Sequence, residues 1–221
     1  MFSFFERLTN PFPTDDIKQP PKGLFAFLMF YSKGMWMPII VVSILSAAVA
    51  ALEVSLFAFL GQLVDWLSAQ SPDTFVESNK NTLIWMSVLI LVILPLLVVV
   101  HSLLIHQSLL GNYPMKIRWQ AHNYLLAQSL SFFQDEFAGR VATKVMQTSL
   151  AVREVVMKVL DILVYLGVYF ISIVVLVFTI DWRLALPLAS WLVIYVILLK
   201  TLLPRLKKVS QHQADARSEM T

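Results

Sequence analysis

The apolar positions of this chain fall in blocks, and the blocks are long enough to cross a bilayer. Met35 to Val64 carries one charge, Glu53, and Asn81 to Met115 contains no Asp, Glu, Lys or Arg. Ile162 to Ile180 is again uncharged, and Leu184 to Leu203 carries only Lys200, close enough to its end to snorkel. A spanning helix needs about 20 apolar residues. The pattern therefore predicts an all-α membrane bundle with four spans, at about 35–64, 81–111, 160–180 and 184–203. Pro95 predicts a kink in the second span. Asp65 to Lys80, with its Ser-Pro-Asp, reads as a loop, and Asp181-Trp182-Arg183 as a tight hairpin between spans three and four.

The polar positions between spans two and three have a pattern of their own. Ile117, Tyr124, Leu125 and Leu130 recur at helical spacing, so a helix of about 28 Å is predicted from Asn112 to Leu130. Gln134 to Gly139 breaks the pattern, and Gly139 suits a turn or helix end. Val141, Val145, Val152, Val155, Val156 and Val159 then mark a second helix returning to the membrane. Neighbouring spans can be joined by two to eight residues, so an intracellular loop of 112–158 needs a purpose. Phe132, Phe133 and Phe137 sit at its tip, where water would meet them unless something covers them. Either the hairpin packs its phenylalanines on itself, or the tip docks a cytoplasmic partner.

Ahead of the first span, residues 1–21 hold four prolines and two aspartates between Asn10 and Pro21 and read as a cytoplasmic linker, not a signal peptide. Residues 22–34 are too short to span, and predict a helix lying at the interface with its aromatic side in lipid. Residues 204–221 predict a basic cytoplasmic helix.

Composition sharpens the picture. Of 221 residues 58% are hydrophobic and 14% charged, against about 25% in a soluble domain. No cysteine is present, which removes disulfides and thiolate sites. The net charge of +3 could suggest nucleic acid. Topology accounts for it instead. Fifteen Lys and Arg lie in the N-terminal region, the 112–158 loop and the C-terminal end, and two, Lys80 and Arg183, in the other loops. The positive-inside rule then puts both termini and the long loop in the cytoplasm, and no nucleic-acid partner is required.

Candidate chemistry is sparse. Glu53 is costly in mid-span unless paired or hydrated. Ser43, Ser46, Ala47 and Ala50 precede it as a small-residue face for close helix approach. Glu53 is either a cavity-lining acid for cationic or amphipathic cargo or an acid satisfied by a neighbouring helix. His101 and His106, five residues apart, point about 140° apart on a helix and cannot share a metal. Glu154, Lys158 and Asp161 read as surface ion pairs at the membrane edge. No catalytic constellation follows from spacing.

The stretch from Arg118 through "HNYLLAQSLSFFQDEFAGRVATKVMQTSLAVREV" resembles the first intracellular loop of ATP-binding-cassette exporters: a basic helix, a Phe-Phe pair, a short coupling helix, then a Gly and a second long helix. "DWRLAL" is similar to that family's outer turn, and "GLFAFLMFYSKGMW" to its elbow helix. The resemblance covers Lys22 to Thr221. It implies that residues 35–221 are part of an exporter transmembrane domain in a bacterial inner membrane, paired with a second half as a homo- or heterodimer. It also implies coupling to a nucleotide-binding domain through Phe132, Phe133, Gln134, Asp135, Glu136, Phe137, Gly139 and Arg140. ATP and magnesium would belong to that domain. The six glycines, never closer than eleven residues, form no P-loop here. Four spans rather than six lead to the expectation of a fragment or a split gene product. A four-helix membrane scaffold or part of a secondary transporter are the alternatives.

Overall fold

The computed structural model describes residues 3–14, 19–69, 72–135 and 138–219. Every regular element among them is helical: α1 (Ser3–Glu6), α2 (Leu24–Ser32), α3 (Trp36–Ala69), α4 (Pro72–Val88), α5 (Leu94–Leu103), α6 (Asn112–Leu126), α7 (Leu130–Asp135), α8 (Ala138–Met157), α9 (Leu163–Ile180) and α10 (Trp182–Glu219). Wide π-helical turns at Leu89–Ile93, Leu104–Leu109 and Lys158–Ile162 join α4 to α5, follow α5 towards α6, and join α8 to α9. Four helical paths are long and apolar enough to cross a membrane: Trp36–Ala69, Phe75–Leu126, Gly139–Ile180 and Trp182–Ser210. The all-α membrane bundle expected from the apolar blocks is the fold of the protein.

The second path runs for 52 residues. A bilayer core takes about 20, so most of α6 continues beyond the membrane as the same rod. Pro95 is accommodated without ending the helix. The Leu94 N–H bonds to the Leu89 carbonyl, one residue further back than in an α-helix. The widened turn sits directly ahead of the proline, whose ring would otherwise crowd the preceding turn.

The chain divides into two units, Met1–Phe170 and Ile171–Thr221. In the first, Tyr31, Met35, Ile39, Val42, Leu104, Leu109, Tyr113, Ile117, Val152 and Val156 form one buried cluster. It draws on α2, α3, the 104–109 turn, α6 and α8. In the second, Asp181 alone separates α9 from α10. Its carboxylate accepts the Arg183 N–H at 2.8 Å, an N-cap that starts α10 at once. Pro187 and Pro204 both lie inside that helix.

Several expectations change. Residues 65–69 and 72–80 are helix, not loop: α3 continues to Ala69 and α4 begins at Pro72. Ser-Pro-Asp marks a helix start as well as a turn, because proline at the first helical position loses no needed hydrogen bond. Trp66 lies against both Phe59 and Phe75, so aromatic packing ties the two helix ends. The helix from Asn112 ends at Leu126, not Leu130. The Gln128 side chain donates to the Tyr124 carbonyl at 3.1 Å and its backbone N–H to the Leu125 carbonyl at 2.9 Å. This stop uses neither Gly nor Pro. Gly139 is no turn: it lies in the first turn of α8, and the only left-handed glycine among the described residues is Gly34, at φ +78°.

The N-terminal segment is not loose linker over its described part. Thr9 is buried, donates to the Ser108 carbonyl at 2.9 Å, and accepts from Asn112 Nδ2 at 2.7 Å. Trp119 Nε1 donates to the Pro13 carbonyl at 3.1 Å, and its ring meets Phe12 edge-on. Residues 3–14 are therefore strapped along the start of α6.

Candidate functional site

The hairpin between spans two and three consists of two shafts and a tip. Along α8, Val141, Val145, Ser149, Val152 and Val156 recur at three- or four-residue steps, and Ser149, Val152 and Val156 are buried. They face α6, whose Tyr113, Lys116 and Ile117 are also buried. Arg118 Nε donates to Ser149 Oγ at 3.0 Å across that seam. The base is locked further. Ser32 Oγ and Tyr113 OH share a 2.7 Å hydrogen bond, and the Lys116 ammonium reaches the Lys33 carbonyl at the end of α2. Gly34 follows in the left-handed conformation that commonly closes a helix. Lys116, one of the charges that argued for topology, is thus also a structural donor.

The tip is built differently. Three residues after α6, the six-residue α7 begins, and α8 starts soon after it ends. Phe132 and Phe133 meet edge-to-face at 5.3 Å. That contact only half-covers them, and Phe133 is 43% exposed. Gln134, Gly139 and Arg140 are exposed as well. Asp135 is the last residue of α7, while Glu136 and Phe137 lie outside the described residues. Self-packing describes the shafts; at the tip Phe132 is half-buried against Phe133, and Phe133 stays exposed. Sequence reasoning missed Leu126 and Leu130 as exposed residues, at 68% and 75%. For Leu130 the signal was present: it was counted into the apolar stripe of a helix that ends at Leu126, before it can bury it.

The membrane holds a second candidate. Glu53 accepts a hydrogen bond from the Tyr165 hydroxyl of α9, so the acid has a neighbouring-helix partner. It also lines an open cleft of about 510 Å³ with Leu56, Phe57, Phe59, Leu60, Leu63, Ile90 and Tyr169. The two readings of Glu53 are compatible: one carboxylate oxygen is held by tyrosine while the group borders an otherwise apolar, aromatic-rich space. Tyr165 and Tyr169 stack at 5.9 Å beside it.

A third polar cluster was not expected. Asp161 is not paired at the surface. Its carboxylate accepts from Ser46 Oγ of α3 and lies 3.0 Å from His101 Nε2 of α5. Helical spacing placed it near Lys158 and Glu154, but the wide turn at Lys158–Ile162 re-aims it into the bundle. His106 points elsewhere, with Nδ1 2.9 Å from the Ser102 carbonyl.

Comparison with known proteins agrees with the architecture. Residues 39–221 match the family model described as ABC transporter transmembrane region. The whole chain is 42% identical, over 224 aligned residues, to a protein of Haemophilus influenzae (strain ATCC 51907 / DSM 11121 / KW20 / Rd) described as an uncharacterized ABC transporter ATP-binding protein. The match covers 36% of that relative, so the chain spans about a third of the length of the curated relative it matches. No solved structure matches the chain.

Proposed function

The chain belongs to the ABC transporter transmembrane-region family, and on that premise we propose that it forms part of the translocation pathway of an ATP-driven exporter. The cargo class is hydrophobic or amphipathic. The observation that carries the reading is the hairpin: two packed shafts present a short helix with Leu130 and Phe133 exposed at its end. A nucleotide-binding domain docked on α7 would move the tip, and the packed seam between α6 and α8 would pass that movement to spans two and three. Differential contacts at the tip in two states are what such coupling needs. ATP and magnesium would be held by the docked domain, since this chain lacks the glycine spacing of a phosphate-binding loop. A second transporter half would complete the pathway.

The Glu53 cleft supports a cargo with an apolar body. Its lining is apolar or aromatic apart from one carboxylate and a tyrosine hydroxyl, which favours a positively charged or hydrogen-bonding headgroup. Both termini and the hairpin would face the cytoplasm of a bacterial inner membrane. Single cysteines at Ser131 and Ser68, both exposed, test this in intact cells with an impermeant thiol reagent: Ser68 is expected to label and Ser131 to be protected.

The decisive test of coupling is Phe133→Ala in the full-length protein, reconstituted with a hydrophobic cationic dye. Burying one Phe side chain contributes about 1.5–3 kcal/mol. Losing it should lower dye moved per ATP hydrolysed several-fold, with membrane insertion unchanged. Equal transport per ATP in the two proteins would remove the docking role.

A further inference from the structure

Span two becomes the shaft α6 through a weak joint. The Leu104–Leu109 turn is π-helical, and the Leu110 N–H reaches back five residues to the Ile105 carbonyl at 2.8 Å. Gly111 follows. A Cβ there would meet nothing within 4 Å, so packing does not require the glycine, and what it adds is backbone freedom. Pro114, in the first turn of α6, has no N–H to give. The next amide, that of Met115, bonds the Gly111 carbonyl at 3.4 Å, long against the usual value of about 2.9–3.0 Å. A π turn, a glycine and a proline are among the usual causes of helix bending, and here all three fall between residues 104 and 114.

The N-terminal strap, residues 3–14, bridges this joint. Thr9 Oγ1 donates to the Ser108 carbonyl at 2.9 Å, ahead of Gly111, and accepts from Asn112 Nδ2 at 2.7 Å, beyond it. Ser108 Oγ donates to the Phe5 carbonyl, and Asn112 Nδ2 reaches the Glu6 carbonyl at 3.0 Å. Seven residues further on, Trp119 Nε1 donates to the Pro13 carbonyl, and its ring meets Phe12 edge-on. The grip therefore runs from Ser108 to Trp119, about 16 Å along the helix axis. Phe5 and Leu8 rest on the buried cluster, which anchors the strap in turn. Its face of α6 is its own. Asn112 and Trp119, seven residues apart, point the same way, while Tyr113 and Ile117 lie about 100° and 140° round from Asn112. On that other face Tyr113 bonds Ser32 of α2, and Ile117 shares the buried cluster with Val152 of α8. The joint is held from two sides, and the strap supplies one of them.

We propose that residues 3–14 are a splint across a hinge at residues 104–114. With the strap docked, span two and α6 move as one rod. With it undocked, the shaft keeps its seam with α8 but can pivot about Gly111 towards the face the strap has left. The link from one side of Gly111 to the other runs through one side chain, Thr9, so the strap can release as a local opening while the bundle stays folded. A stiff rod passes on a movement applied to its end, and a bending one absorbs it. The splint is a property of the chain itself; its consequence for transport rests on the coupling reading above.

The test is a distance measurement across the joint, made without nucleotide so that its outcome is independent of that reading. The chain has no cysteine of its own. Cysteines at Leu96 and Leu126, 60% and 68% exposed, are spin-labelled in the full-length protein, with any cysteine outside this chain replaced by serine. The labelled protein is diluted with unlabelled protein in lipid nanodiscs and read by double electron–electron resonance. Wild type is expected to give one narrow distance near 45 Å, from 30 residues at about 1.5 Å each. Thr9→Val is expected to broaden the distribution and add a shorter component, and Thr9→Ser, which keeps the hydroxyl, to match wild type. Adding Gly111→Ala to Thr9→Val is expected to narrow the distribution again, because the joint itself is stiffened. Gly61→Ala, in α3 and equally free of contacts, is expected not to do so. If Thr9→Val fails to fold, Trp119→Phe is read in its place, since it keeps a ring against Phe12 and removes only the donor to Pro13; the same broadening is expected. A wild-type distribution in the strap variant that folds would overturn the proposal. So would equal narrowing by Gly61→Ala and Gly111→Ala, which would make the effect one of general stability.

Discussion

The base and the tip of the α6–α8 hairpin are made of similar residues and treated in opposite ways. At the base, Tyr113, Ile117, Ser149 and Val152 are all buried, and the hydroxyls of Tyr113 and Ser149 find partners on α2 and α6. At the tip, Leu126, Leu130 and Phe133 are exposed, and Phe132 has Phe133 against its edge. Apolar surface that has been removed from water already contributes to the fold; apolar surface left at a tip is available to a partner. The contrast teaches that a long polar-looking loop can be rigid at its root and unfinished at its end, which is the combination a lever needs.

The base is where a substitution should cost most. Ile117→Ala leaves a cavity in a 1% exposed site and is expected to lower stability by about 2–5 kcal/mol, read as a lower unfolding midpoint in detergent. Thr9→Val keeps the shape but removes the donor to Ser108 and the acceptor for Asn112. A loss of about 1–3 kcal/mol is expected, with faster proteolysis ahead of residue 14. A stability equal to wild type would mean that the N-terminal strap contributes nothing to the base. At the tip, Phe133→Ala should shift stability by less than about 0.5 kcal/mol, despite its expected effect on coupling; a shift as large as that of Ile117→Ala would erase the contrast between the two regions. The one change of opposite sign is expected at Gly139. It is helical, and a Cβ there would meet nothing within 4 Å. Gly139→Ala should therefore be neutral or stabilise the chain by up to about 1 kcal/mol, measured in the same unfolding assay.

The apolar blocks made the four membrane-crossing helices legible, because a bilayer accepts only segments that satisfy their own backbone. The helical spacing of Val141, Val145, Val152 and Val156 likewise showed a seam, and the Phe-Phe pair marked the tip. Helix ends were less legible. The stop at Leu126 uses a Gln side chain on a carbonyl, and the start at Pro72 uses residues that serve turns equally well. Local sequence leaves both options open, and packing selects one.

What the sequence could not carry is the partnership of distant polar residues. Ser46, His101 and Asp161 are 55 and 60 positions apart in turn, and each alone resembles a tolerated polar residue in a span. The helical spacing that put Asp161 beside Lys158 assumed 3.6 residues per turn, and the π-helical turn at 158–162 breaks that period. The same holds for Thr9 and Ser108, and for Lys116 and the Lys33 carbonyl. Composition and period determined that this chain is a helical membrane bundle with a long helical hairpin, since transfer of side chains to lipid depends on local apolarity alone. Which buried donor meets which acceptor was decided only when the helices packed, because a hydrogen bond depends on distance and direction between groups that the chain order keeps far apart.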